Sequence, residues 1–241
     1  MKQISRRAFV GTGAAASLAS ATGIGAMPAS LSGRSAERRS ERSQTTVMFT
    51  GDGQSLSPLE YSQVLGSIID GRGVAPDYYS RGGVVRELEE RMAAILGKER
   101  AVFLATGTLA NHLAVRIQAR GRTRVIVQED SHLYCDSGDC AEVLSNLNLV
   151  TLARGAGTFS LEDVQDEIAR AAGGRVRTGV GVISIESPIR RRYGELFDFE
   201  EMRRICDFAR GQDIATHLDG ARLFMASAYT GIAPAEFAAL F

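Results

Sequence analysis

The stretch Thr216-His217-Leu218-Asp219-Gly220-Ala221-Arg222-Leu223-Phe224 decides the fold. Just ahead of it, Asp213-Ile214-Ala215 leaves the tip of a helix and begins a short strand, expected over residues 214–218. That apolar run ends on a carboxylate, a glycine and an arginine. In an open α/β sheet, ligands sit outside the carboxyl ends of the strands, and Asp219 stands at such an end. Gly220 permits the sharp turn that follows, and Arg222, three residues from Asp219, is close enough to face the same crevice. A carboxylate and a guanidinium so placed suit a ligand with a protonatable ring nitrogen and an anionic group. They equally suit a buried Asp–Arg pair that does no more than tether a loop.

Outward from this point, strands and helices alternate. Upstream lie strands over residues 101–105, 124–128, 147–152 and 179–186. Between them fall a helix over 107–120, with Leu109, Leu113 and Ile117 on one stripe, and a helix over 137–146. A helix over 161–172 is capped by Ser160, with Asp163 completing a box-like pattern, and Asp198 caps the next helix, with Glu201 three residues on. Nearer the start, Ser57-Pro58 is an N-cap followed by a first-turn proline. Leu59, Val64, Leu65, Ile68 and Ile69 then repeat near helical spacing. A glycine-rich loop over 71–83 leads to a helix over 84–96 closed by Gly97, and Pro234 opens a last short helix. Such alternation predicts an α/β fold: a mostly parallel sheet with helices on both faces.

A chain of 241 residues with equal acidic and basic content suffices for one large domain. Zero net charge argues against a nucleic-acid binder, which shows a basic face. Three cysteines, Cys135, Cys140 and Cys206, make no disulfide framework. Cys206 falls in an amphipathic helix as a small core residue, and the Cys135/Cys140 spacing is poor for zinc. The start is different in kind. Arg6-Arg7, preceded by Ser5 and followed by Phe9 and Val10, opens a weakly apolar Ala/Gly-rich run to about Pro28. It resembles a twin-arginine export signal over residues 1–29, too weakly apolar and too broken by glycine to anchor in a membrane. Residues 30–46 are a Ser/Arg/Glu tract expected to be a disordered linker, and the globular pattern covers 47–241. The protein is therefore expected outside the cytoplasm, in the periplasm or beyond.

Two further stretches carry chemistry. Ala105-Thr106-Gly107-Thr108-Leu109-Ala110-Asn111 joins a strand to a helix, where Gly107 and Thr108 offer free amides and a hydroxyl to a phosphate. A structural cap would look the same. Glu129-Asp130-Ser131-His132 lies just beyond another strand, where an imidazole could stack on a ring or merely bond to backbone. A phosphate seat at one strand–helix turn and an aspartate at a later strand end are the two fixtures pyridoxal phosphate needs.

In this order and spacing, Ala-Thr-Gly-Thr-Leu-Ala-Asn, Glu-Asp-Ser-His and His-Leu-Asp-Gly-Ala-Arg-Leu-Phe resemble the threonine aldolase branch of the pyridoxal-phosphate β-eliminating lyases. The resemblance runs from about Val47 to Phe241. It implies the large domain of an aminotransferase-like, fold-type-I enzyme. It also implies Gly107 and Thr108 on the cofactor phosphate, His132 over the ring and Asp219 on the pyridine nitrogen. Arg222 would hold the substrate carboxylate or steady the cofactor. The family cleaves a β-hydroxy amino acid to glycine and an aldehyde. Loss of a β-leaving group is the alternative on the same fold, and an inactive remnant the alternative outside it. A homodimer or homotetramer, with sites built across the dimer interface, is the family's usual form.

The chain also departs from the family. Glu-Asn-Thr-His-Asn after the long strand reads Glu186-Ser187-Pro188-Ile189-Arg190 here, which leaves the substrate open, and Gly51 replaces a serine. The only lysines are Lys2 and Lys98. The family's cofactor-binding lysine falls some residues beyond the aspartate, so the chain is expected to be an N-terminal piece of a longer enzyme, inactive alone. For export, replacing Arg6 and Arg7 by lysine is expected to hold the precursor in the cytoplasm. Cell fractionation checks this, and normal export of the doubly substituted chain refutes the signal.

Overall fold

The computed structural model describes residues 56–79 and 81–241. The Arg6-Arg7 signal, the 30–46 linker and Gly51 lie outside them. Two helices come first, α1 (Pro58–Arg72) and α2 (Gly83–Leu96), followed by α3 (Gly107–Gln118). Then strands and helices alternate: β1 (Arg124–Gln128), α4 (His132–Cys135), α5 (Cys140–Ser145), β2 (Asn148–Leu152), α6 (Leu161–Ala172), β3 (Val180–Glu186), α7 (Phe199–Gly211) and β4 (Ala215–Asp219). Helices α8 (Leu223–Thr230) and α9 (Pro234–Ala238) close the described chain.

The four described strands are all parallel, in spatial order β2-β1-β3-β4. Residues of β3 are buried along its whole length, as a parallel strand covered on both faces must be. Side chains alternate between the faces. Val125, Val127 and Val182 meet Val115 of α3, Leu133 of α4 and Ala141 of α5. Ile126, Ile183 and Ile185 meet Val164 of α6, Met202, Ile205, Cys206 and Ala209 of α7, and Leu223 of α8. At Gly181 the residue that ends α3 packs directly on the sheet: a Cβ there would lie 2.8 Å from the Ala119 carbonyl oxygen.

Several sequence expectations stand almost residue for residue, including β1, α6 and its Ser160–Asp163 capping box. Others do not. Residues 101–105 form no strand: Val102 is 76% exposed, and the Phe103 N–H donates to the Glu89 carboxylate (2.8 Å) instead of to a ladder. An apolar run becomes a strand only by pairing, and no described strand lies beside this one. The helix expected over 137–146 is shorter, α5 alone, and a separate turn of helix, α4, precedes it. Gly138 and Asp139 between them have positive φ (61° and 53°), which ends a right-handed helix. On α3 the Leu109/Leu113/Ile117 stripe is not the core face. His112 and Val115 are buried, while Leu109 and Ile117 are exposed. The helix is turned this way because His112 bonds Ser145 Oγ (2.6 Å) and Asn111 reaches β4.

The connection from β1 steps outward to β2. The next crossover returns past β1 and places β3 on its other side. The direction reverses between β1 and β3, and the crevice beyond their carboxyl ends is where such a sheet binds ligands. Here the two strands part early. Their register ends at Ile126↔Ile183, whereas β3 and β4 stay paired to Glu186↔Asp219. The buried Gln128 amide bridges the gap, donating to the Glu186 carbonyl (2.8 Å) and accepting from the Glu186 N–H (2.9 Å).

Candidate active site

The crevice is a cavity of about 330 Å3. Four segments build it. The first is the start of α3. Thr106 is its N-cap, in extended conformation, with its hydroxyl accepting from the Leu109 N–H (3.2 Å). Gly107 and Thr108 are thus the first helical residues, and their amides have no partner within the helix. A Cβ on Gly107 would meet nothing within 4 Å. The helix end therefore faces open space, at the positive end of its dipole, where an anion is stabilised.

The second segment is the end of β4. Asp219 is its last residue and is buried. Its Oδ2 accepts from Asn111 Nδ2 (2.6 Å) and its Oδ1 from the Ala221 N–H (3.2 Å). Asn111 lies one turn along α3 from Gly107, so one helix carries both the anion seat and the donor that fixes the carboxylate. Beyond the turn, the buried Arg222 also lines the cavity.

The third segment is α4, capped by Ser131, whose hydroxyl accepts from the Tyr134 N–H. Its first residue, His132, places ring Nε2 3.2 Å from Thr108 Oγ1. The fourth segment is the end of β3. Glu186 is buried, and its carboxylate accepts from the His132 N–H (2.5 Å) and the Arg190 N–H (3.0 Å). Burial raises the Glu186 carboxyl above its ordinary value; the two amides oppose that shift, and Asp219, opposite it in register, adds to it.

The period of two explains why this half of the sheet is polar. Ser184, Glu186, His217 and Asp219 all point to the face beneath α3, where Val182 and Ala215 precede them. His217 Nδ1 and Ser184 Oγ lie 2.9 Å apart, and burial lowers the imidazole's pKa, favouring the neutral ring.

Gly107, Thr108, His132, Asp219 and Arg222, singled out in the sequence, line this one cavity. Asn111, Glu186 and Arg190 line it too and were not singled out. Asn111 could have been found from its spacing to Gly107, and Glu186 from its place at a strand end. Lys98 does not line it; its ammonium donates to the Phe241 carbonyl (2.5 Å). Among the described residues no cluster of three or more His, Cys, Asp or Glu could hold a metal ion, and no helix is long and apolar enough to cross a membrane.

An imidazole, a buttressed carboxylate and an open helix N-terminus at the switch point of a parallel sheet define the class: an α/β protein with a polar crevice beyond the carboxyl ends of its strands. Residues 74–241 match the model of the beta-eliminating lyase family, and the chain belongs to that family. It is 29% identical over 68% of its length to a low-specificity L-threonine aldolase of Candida albicans, covering 44% of that protein. It is 30% identical over 64% of its length to the low specificity L-threonine aldolase of Escherichia coli K12, covering 45%. The chain thus spans less than half the length of both relatives. Among solved structures, a Leishmania major threonine aldolase superposes with a TM-score of 0.66 at 17% identity, over 80% of this chain and 55% of that one, a likeness of fold. A Listeria monocytogenes chain, named as a candidate L-allo-threonine aldolase, gives a TM-score of 0.67 at 30% identity, over 79% and 50%.

The Asn111–Asp219 contact is open to measurement without any ligand. Asn111→Ala removes a donor from a buried carboxylate and is expected to lower unfolding stability by about 1–3 kcal/mol. Urea denaturation reads this, and an unchanged midpoint and slope would show that the contact contributes nothing.

Proposed function

We propose that the protein is a pyridoxal-phosphate-dependent lyase that cleaves a β-hydroxy amino acid between Cα and Cβ, giving glycine and an aldehyde. One observation carries this reading: the helix end, the imidazole and the Asn111-held carboxylate converge in one cavity of a chain in the beta-eliminating lyase family. The residues fit the cofactor. Open space at Gly107 leaves room for a phosphate on the free amides, with the Thr108 hydroxyl beside it. Asp219 would accept a hydrogen bond from the protonated pyridine nitrogen, and His132 would lie over the ring. Pyridoxal phosphate, when bound, supplies an electron-accepting ring that lets a bond at Cα break.

The chain's own part is positioning and charge. Asn111 and the Ala221 amide hold the Asp219 carboxylate so that it keeps a proton on a ring nitrogen without reorganising. Arg222 would neutralise an anionic oxygen of the amino acid or of the cofactor. Thr108 Oγ1 fixes the turn of the His132 ring, and Glu186, through the His132 amide, fixes where α4 begins. The family's description favours loss of a β-leaving group as the second reading, and glycine plus aldehyde, as against a keto acid plus ammonia, separates the two. Lys98 is not the cofactor's covalent partner in this reading.

We also propose export by the twin-arginine route, supported by the order of the basic, apolar and small-residue regions in 1–29. Assembly into a homo-oligomer is supported by α1, which buries none of its residues and leaves Leu59, Leu65 and Ile69 exposed. Sedimentation at micromolar concentration should then show a dimer or tetramer, reduced to monomer by Leu65→Arg with Ile69→Glu; an unsubstituted monomer refutes it.

For the chemistry, Asp219→Asn removes the charge that holds the ring proton. In the active enzyme it is expected to lower the cleavage rate on the order of 100-fold or more. Activity within a few-fold of the parent would show that Asp219 is a loop tether only.

A further inference from the structure

The described cavity is lined mostly by polar and charged residues. Its only purely aliphatic group is the methyl of Ala221, and four of its ten lining residues are Glu186, Asp219, Arg190 and Arg222. On the reading above, the anion seat at α3 is taken by the cofactor phosphate, Asp219 by the ring nitrogen and Arg222 by a carboxylate or the cofactor. Arg190 is left without a task.

Its position is fixed with some care. The Arg190 N–H is bonded to Glu186, Ile189 just before it is fully buried, and the Ile189 N–H donates to the Glu195 carbonyl (2.9 Å). Residues Arg190–Arg192 then form one 3-10 turn. The guanidinium is steadied by Asp136, with Nη2 2.8 Å from Oδ2, but Asp136 also takes two bonds from Arg191 (2.7 and 3.1 Å). One carboxylate thus faces two guanidiniums. The Asp136 contact uses one of the five N–H donors of Arg190. A planar fork held by one partner with donors to spare suits a carboxylate.

We propose that Arg190 reads the substrate's side chain, and that the amino acid this site takes carries a second carboxylate, which the Arg190 guanidinium receives. This rests on the cofactor reading above. It requires Arg190 to keep Asp136 as a steadying partner while its remaining donors turn to the ligand.

The test uses reduced phosphopyridoxyl conjugates of threonine and of β-hydroxyaspartate. They differ only in a methyl or a carboxylate on Cβ, and they need no lysine to bind. Isothermal titration of the full chain should show the β-hydroxyaspartate conjugate bound about tenfold or more tighter than the threonine conjugate. Arg190→Ala and Arg190→Asn should bring the ratio near one with the threonine conjugate's affinity kept, and Arg190→Lys should retain part of the preference. A ratio near one in the unsubstituted chain overturns the proposal alone, as does a preference that survives Arg190→Ala. Failure of both conjugates to bind the unsubstituted chain overturns the cofactor reading as well.

Discussion

The Gln128 carboxamide holds the two central strands together after their own ladder has ended. A sheet that winds in opposite directions from its middle needs an opening there for a ligand, and an opening leaves backbone groups unpaired. Gln128 answers both by taking the place of a neighbouring strand at one residue, Glu186. Everything on the β3 side of the cavity hangs from that residue. Its carboxylate receives the first amide of α4 and the amide of Arg190, so the histidine and the arginine loop are both placed by one side chain. A leucine at 128 would fill the volume and leave the Glu186 N–H and carbonyl buried without partners, a loss of about 1–3 kcal/mol for each group.

The α3 side is organised by a single helix. Its first turn faces the anion seat, Thr108 touches His132, and Asn111, one turn on, holds Asp219. A rigid helix therefore sets the distance between the end that would receive a phosphate and the carboxylate that would receive a ring nitrogen. The same face of the sheet turns from apolar to polar along its strands. Buried polar groups are tolerable there because each described pair closes on itself, Ser184 with His217 and Asn111 with Asp219.

Much of this was legible in the sequence. Asp219 followed by glycine reads as a strand end. Thr106-Gly107-Thr108 reads as a helix start, and the alternation of elements from β1 onward gives the parallel sheet covered on both faces. The illegible parts share a cause: they depend on partners distant in the chain. Residues 101–105 have a strand's composition but no described neighbour to pair with. The orientation of α3 is decided by Ser145 and Asp219, 33 and 108 residues away from their partners, and not by its leucine stripe. Glu186 and Arg190 stood out in the sequence only as a departure from the family's pattern, and their place in the cavity depends on β3 and β4 bringing them beside Asp219.

Helix α1 has a consequence of another kind. Its ends are well made, with a reciprocal Ser57–Glu60 capping box and a Gly73 N–H bonded back to Ile69, yet none of its side chains is buried. Its amides are then protected from solvent deuterium by the helix's own ladder alone, so they exchange through local openings, long before the sheet releases its own. If copies of the chain cover this helix, its protection rises with protein concentration while that of β3 stays constant. The slowest amides of the molecule and its most concentration-sensitive ones would then lie at opposite ends of one exchange map.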